Sequence, residues 1–249
     1  MIGDYKIVYT VSDIANLVPD ALRSIKSLMK FVAKENVIVL HTPPRTMKSI
    51  LELSKVANVQ YADNITKPFA IMPEKGLRHY GEKVQLCNIN SENVIFLDAD
   101  TLIRKDVTLL LDGDFDFAAM PVKSDETMED RIRLFSKINS HALPQYNCGL
   151  LVFKNYFHRK IGDLWLKYIN DESLREPVFN TWEQWALSLA LSMSNAKIKN
   201  LTFYHHARMW AGKSHVDAFI MHGIPTHAHM RFRAWLGRER RRLEKRVIP

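Results

Sequence analysis

Two carboxylates separated by one residue, Asp98-Ala99-Asp100, follow directly on the apolar run Val94-Ile-Phe-Leu97. A short run rich in β-branched and aromatic residues reads as a buried strand. Residues just past the end of such a strand sit at the carboxyl edge of an open α/β sheet, where ligands bind. Side chains at i and i+2 there can converge on one cation. Hard oxygen ligands suit Mg2+ or Mn2+, ions that keep phosphate oxygens in their shell. The spacing by itself says little. About one Asp-x-Asp is expected by chance at this length, and the chain has three. Taken alone, the pair serves equally well as a polar cap on the strand. The other two overlap in Asp112-Gly-Asp-Phe-Asp116. That run opens like a calcium loop, but Phe117 and Lys123 stand where an EF-hand needs Gly and Glu. It reads as a turn between a helix and a strand.

The elements that must position Asp98 and Asp100 alternate along the chain. Tyr5 to Val11, Asn36 to Leu40, Val59 to Ala62, Val94 to Leu97, Phe115 to Met120 and Leu150 to Phe153 read as strands. Between them, Pro19 to Ala33, Thr46 to Val56, Glu82 to Asn88, Ile161 to Ile169 and Thr181 to Met193 carry apolar residues at helical spacing. Continuous apolar strands alternating with helices predict an α/β fold, a mostly parallel central sheet with helices on both faces. Thr181-Trp-Glu-Gln184 fits a capping box, with Thr at the N-cap and Gln three residues on.

Composition narrows the function classes. The chain has 249 residues, 47% hydrophobic and 25% charged, ordinary for a globular protein with a sizeable core. The formal charge is +8. Residues 231–249 hold eight Lys and Arg against Glu239 and Glu244, so most of the excess belongs to this end. That argues against nucleic-acid binding by the body of the protein. We expect one folded domain over 1–230 and a basic tail over 231–249. Two cysteines, Cys87 and Cys148, are too few for a disulfide framework and read as buried free thiols of a reducing compartment. The first residues lack the pattern of a secretion signal, and no apolar run is long enough to cross a bilayer. The expected location is cytoplasmic. Six of ten histidines fall between His205 and His229, yet no Cys joins them and no His-Glu-x-x-His appears, so zinc is not indicated.

Several segments, in order, resemble glycosyltransferases of the GT-A fold, closest to the glycogenin-like and bacterial lipopolysaccharide galactosyltransferase group. Val94 to Ile103 resembles that group's "apolar strand, D-x-D-T" segment. Tyr5 to Leu28 resembles its first strand and helix, and Asp106 to Pro121 the stretch after the metal motif. Tyr146-Asn-Cys-Gly-Leu-Leu-Val-Phe153 resembles its "N-x-G, apolar strand" segment. Trp182-Glu-Gln-Trp185 resembles its "D-Q" helix start, and Ile220-Met-His-Gly223 its late "apolar, H-G" segment. The resemblance spans residues 5–225. Two departures stand out. A Lys of the late segment that holds the diphosphate is missing from His222-Gly-Ile-Pro-Thr-His227, with Lys213 or Arg208 as the candidate substitute, and Glu183 stands where the group has Asp.

The resemblance implies a single Rossmann-like domain that moves a sugar from a nucleoside-diphosphate donor, UDP-sugar favoured, with Mn2+ or Mg2+ held by Asp98, Asp100 and His222. A divalent ion there would act as a Lewis acid on the departing diphosphate and orient the donor. It also implies donor contacts at Val11, Ser12 and Asp13, at Lys83, around Ala99, and at Gly149 and Gly223. Asn147 and Gly149 would lie by the sugar, although a tight turn into a strand explains them equally. Glu183 and Gln184 would face the anomeric carbon. Glu183 would act as general base in an inverting reaction, or would stabilise developing positive charge in a retaining one. For Lys83 a solvated helix lysine is the competing reading. Residues 230–246 interleave Arg with Phe, Trp and Leu, which suits an anionic membrane surface and a lipid-linked acceptor. The rivals are a GDP-sugar transferase, a nucleotidyltransferase, and a basic nucleic-acid-binding protein. The nucleotidyltransferase lacks its Gly-rich loop here, since Val11-Ser-Asp-Ile-Ala-Asn16 follows the first strand.

Overall fold

The computed structural model describes residues 3–14, 17–67, 78–122, 126–176, 181–208 and 217–223. A seven-stranded sheet forms its centre, in the order β3-β2-β1-β4-β7-β6-β8. The strands are β1 (Tyr5–Val11), β2 (Val37–His41), β3 (Asn58–Tyr61), β4 (Asn93–Leu97), β6 (Phe117–Pro121), β7 (Tyr146–Phe153) and β8 (Ile198–Asn200). Pairs β2–β3, β1–β2, β1–β4 and β6–β8 are parallel. Strand β7 runs antiparallel to both β4 and β6. The mostly parallel sheet expected from the alternation is therefore present, with one reversed strand in it.

Side chains of a strand alternate between faces, and the two cores follow that alternation. Val8, Ile38, Val94, Phe96, Leu151 and Phe153 face one core, together with α4 (Phe157–Ile169) and α5 (Trp182–Ser192). Ile7, Tyr9, Val37, Val39, Ile95 and Leu97 face the other, against α1 (Leu17–Leu28) and Leu53 of α2 (Met47–Ser54). Burial on both faces explains why these strands read as unbroken apolar runs. The remaining helix α3 (Met128–Ser136) starts at a capping box between Thr127 and Asp130.

Two features set up the site. First, β7 pairs Leu150 with Leu97 in antiparallel register, so its first residues lie beside the carboxyl end of β4. Second, a small sheet of order β5-β10-β9 joins β5 (Thr101–Ile103), β10 (Ile220–His222) and β9 (His206–Arg208). Its register sets His222 opposite Thr101 on one side and opposite Arg208 on the other. A late segment of the chain is thereby laid against the Asp-x-Asp turn.

Some boundaries differ from the sequence reading. Strand β7 begins at Tyr146 rather than Leu150. Asn147 and Gly149 are poor strand formers, but ladder pairing with β4 and β6 outweighs their propensity. Glu82 to Asn88 belongs to a longer 3-10 run, Arg78–Asn88. Asp112 to Asp116 is the connection between the 3-10 turn Val107–Leu111 and β6, as read.

Candidate active site

The Asp98 backbone is pinned on both sides. Its N–H donates to the Gly149 carbonyl at 3.0 Å. Its own carbonyl accepts from the Thr101 N–H at 3.3 Å and the Thr101 hydroxyl at 2.8 Å. The Thr101 hydroxyl lies 2.7 Å from the Ser24 hydroxyl of α1, which lies 3.0 Å from the Tyr9 hydroxyl of β1. All three residues are buried. A chain of hydroxyls thus ties the carboxylate turn to the first strand and helix.

Three ligand atoms converge at this turn. His222 Nε2 is 3.3 Å from Asp98 Oδ2 and 3.2 Å from Asp100 Oδ1. One ligand atom from each residue lies within 4.8 Å of the others, the one such cluster among the described residues. Two carboxylate oxygens and one imidazole nitrogen suit a divalent first-row ion, and the nitrogen favours Mn2+ over Mg2+. Burial alone would lower the His222 pKa. The carboxylates of Asp100 and Asp98 outweigh it and push the value up to about 9.

Gly149 makes room for this arrangement. A Cβ there would lie 2.0 Å from His222 Cε1 and 2.3 Å from its Nδ1. The close approach that glycine permits is made here by the imidazole. Asn147 is buried, and its Oδ1 accepts from the Gly149 N–H at 3.0 Å, which stiffens the entry to β7. Gly223 follows His222 with φ 82, a left-handed conformation suited to glycine. Ala99 is buried within the turn between the two aspartates.

Lys83 is no solvated helix lysine. It is 2% exposed, and its Nζ donates to Asp98 Oδ1 at 3.1 Å and to the Cys148 carbonyl at 3.4 Å. Burial opposes its charge, but Asp98 outweighs that and raises its pKa, with Glu183 adding to the effect. Conversely, burial opposes the Asp98 carboxylate, and Lys83 and His222 together hold it well below the usual range. Glu183 is also 2% exposed. Burial pushes its pKa up, and Lys83 partly restores the charged form. The two carboxylates and the lysine therefore form one electrostatic unit, in which Lys83 and Glu183 are buried and Asp98 is partly exposed.

Gln184 is half-buried one residue further along α5. The capping box expected at this helix start does not form. Thr181 adopts φ 56 and ψ 61, and its side chain makes no cap bond. Its hydroxyl instead accepts from Gln145 Nε2 at 2.7 Å. A left-handed threonine costs about 1–2 kcal/mol, so the surrounding contacts must hold it there.

The turn after β1 forms a second group. Val11 and Ser12 are buried, and the Ser12 hydroxyl has no hydrogen-bond partner among the described residues. Asp13 accepts from His41 Nε2 at 3.2 Å and from the Ser49 hydroxyl at 2.9 Å. Burial would raise its pKa, but the Thr46, Ser49 and His41 contacts lower it overall.

Arg208, one substitute for the missing lysine, is the strand neighbour of His222. Lys213 and the whole of residues 231–249 lie outside the described residues. Sequence reasoning missed His206, which is fully buried with its Nε2 2.9 Å from His222 Nδ1. Its only signal was membership of the histidine cluster. The Ser24 and Tyr9 hydroxyls carried no signal at all, since nothing local marks a polar group on an apolar face as functional.

Comparison with known proteins places the fold. An active-site mutant of LgtC superposes with a TM-score of 0.60 at 15% identity, covering 87% of this chain and 86% of that one. The galactosyltransferase LgtC in complex with donor and acceptor sugar analogs gives 0.56 at 14% identity, over the same shares. Mouse xyloside xylosyltransferase 1 gives 0.56 at 12% identity, covering 88% of this chain and 97% of that one. These likenesses establish the GT-A fold. A search of curated protein sequences found no match. The sequence model described as glycosyl transferase family 8 matches residues 18–216, well over half the chain. The chain therefore belongs to glycosyl transferase family 8 and is a glycosyltransferase.

Proposed function

We propose that the chain transfers a sugar, a hexose in our reading, from a nucleoside-diphosphate donor, with UDP-sugar preferred. In this reading Asp98, Asp100 and His222 hold Mn2+ or, less favourably, Mg2+. The observation that carries the proposal is the convergence of those three ligand atoms at the carboxyl end of β4. When bound, such an ion supplies Lewis-acid stabilisation for a departing diphosphate. The family rules in glycosyl transfer and sets aside the nucleotidyltransferase and the nucleic-acid-binding protein. A GDP-sugar remains the alternative donor.

The chain's own groups take the following roles. Lys83 fixes Asp98 through a part-buried ion pair and balances carboxylate charge beside the donor. The unpartnered Ser12 hydroxyl at the end of β1 is a polar group that a nucleotide can satisfy. Asp13, held charged by His41 and Ser49, can accept N–H groups of a base. Asn147 spends its carbonyl on Gly149, which leaves its amide N–H groups to donate to a sugar hydroxyl. In our reading Glu183 stabilises positive charge at the anomeric carbon, the role a retaining reaction like that of the resembled group would need; burial disfavours its charged form, and Lys83 offsets that cost. Gln184, more exposed than Glu183, would touch the sugar or acceptor.

The acceptor we favour is lipid-linked, at the cytoplasmic membrane face. No helix among the described residues is long and apolar enough to cross a membrane. The support is the charge of residues 231–249. At roughly 1 kcal/mol per basic residue near an anionic bilayer, that segment suffices for docking.

The test is thermal shift against a panel of nucleotide sugars, with and without Mn2+. A ligand at 100 times its dissociation constant adds about 2.7 kcal/mol of stability. Stabilisation by a UDP-sugar only when Mn2+ is present supports the proposal. Indifference to every donor under both conditions contradicts it.

A further inference from the structure

We propose that His206 is a positioning residue for the metal site, one that fixes the tautomer and ring plane of His222. The inference rests on the metal reading above and adds a role for a residue outside the ligand set. The two rings are nearly parallel, at 11°, with centroids 5.0 Å apart. His206 Nε2 lies 2.9 Å from His222 Nδ1, and His206 is fully buried.

The proton assignment follows from which nitrogen faces the carboxylates. His222 turns Nε2 toward Asp98 and Asp100. Ligation through Nε2 needs its lone pair, so the proton of a neutral His222 ring must sit on Nδ1. That Nδ1–H then donates to His206 Nε2, which must carry a lone pair. The His206 proton therefore sits on its Nδ1, an atom with no hydrogen-bond partner among the described residues. Metal-bound histidines commonly donate their second N–H to a carboxylate or a carbonyl, and these partners set ring orientation and ligand basicity. A carboxylate at position 206 would bury a third negative charge beside Asp98 and Asp100. A neutral imidazole orients the ligand without that cost.

Parallel pairing of β9 with β10 makes the contact possible. Register partners are His206 with Ile220 and Arg208 with His222, so the two histidines sit diagonally on one face. Gly149 leaves the His222 ring its space beside Cε1 and Nδ1.

The experiment is calorimetric titration of Mn2+ into the full chain, for wild type, His222→Ala, His206→Phe and His206→Gln. Phe keeps the ring and removes the acceptor, while Gln restores an acceptor oxygen at a similar reach. Wild type should bind one Mn2+, and His222→Ala should abolish tight binding. His206→Phe should weaken binding about 10–100-fold, and His206→Gln should recover most of the loss. Equal affinity in wild type and His206→Phe overturns the role of His206 while leaving the metal site intact. No Mn2+ binding by wild type overturns both. Should the Phe variant fail to fold, long-range 1H–15N correlation of the metal-free wild type gives a direct reading. A proton on His206 Nδ1 supports the assignment, and a proton on its Nε2 overturns it.

Discussion

At the residue scale the account turns on His222. In the metal-free protein its pKa is pushed up to about 9, so at neutral pH a metal ion must displace a proton from Nε2. The direction is fixed by that elevation. Below about pH 9 the proton competes, so apparent Mn2+ affinity should fall as pH is lowered and flatten above about 9. Calorimetry in buffers of different ionisation enthalpy should show proton release on binding at pH 7. The same elevation contributes stability to the metal-free protein that is complete below the unfolded value of about 6.5. It is lost as pH rises through about 9. A second prediction concerns Gly149. In Gly149→Ala the new Cβ meets His222 at 2.0 Å, so the ring must move. We expect a loss of about 1–3 kcal/mol in denaturant unfolding, together with weakened Mn2+ binding. The Asp98 and Asp100 pair was legible in the sequence because it ends an apolar strand. His206 was not, because its meaning depends on a partner sixteen residues away on another strand.

At the scale of elements, the decisive unit is the three-stranded sheet that lays β10 against the carboxylate turn. Its strands have three residues each, too short for any periodic pattern to announce them. The resemblance of Ile220 to Gly223 to a known late segment pointed to His222 where periodicity could not. The large strands were legible for the opposite reason. Burial on both faces writes them as apolar runs. The start of α5 misled, because the Thr and Gln spacing of a capping box says nothing about φ at Thr181. The hydroxyl chain from Tyr9 through Ser24 to Thr101 makes a prediction at this scale. Thr101→Val removes the hydroxyl donor to the Asp98 carbonyl and one of the two partners of Ser24, so two buried hydrogen bonds are lost. That should cost about 1–3 kcal/mol, read in denaturant unfolding, and should loosen Mn2+ binding through the displaced turn. Unchanged stability and affinity would show that the backbone bonds of Asp98 to Gly149 and to residue 101 hold the turn without the hydroxyl.

For the molecule as a whole, charge is divided between a nearly balanced body and a strongly basic end. We predict that the full chain sediments with vesicles containing anionic lipid, and that deleting residues 231–249 abolishes this at physiological salt. Donor-stabilised melting should survive the same deletion, since the proposed donor contacts all precede residue 224. Binding that persists without the segment would place the membrane contact elsewhere. The central claim is narrower and concerns the sheet edge, where Asp98, Asp100 and His222 together hold a divalent ion used in sugar transfer. Its most direct test is Mn2+ titration in the presence of UDP, comparing wild type with the Asp98→Asn, Asp100→Asn double variant. The account predicts one saturable Mn2+ site in the wild type and none in a folded double variant. Equal Mn2+ binding by both proteins would contradict it.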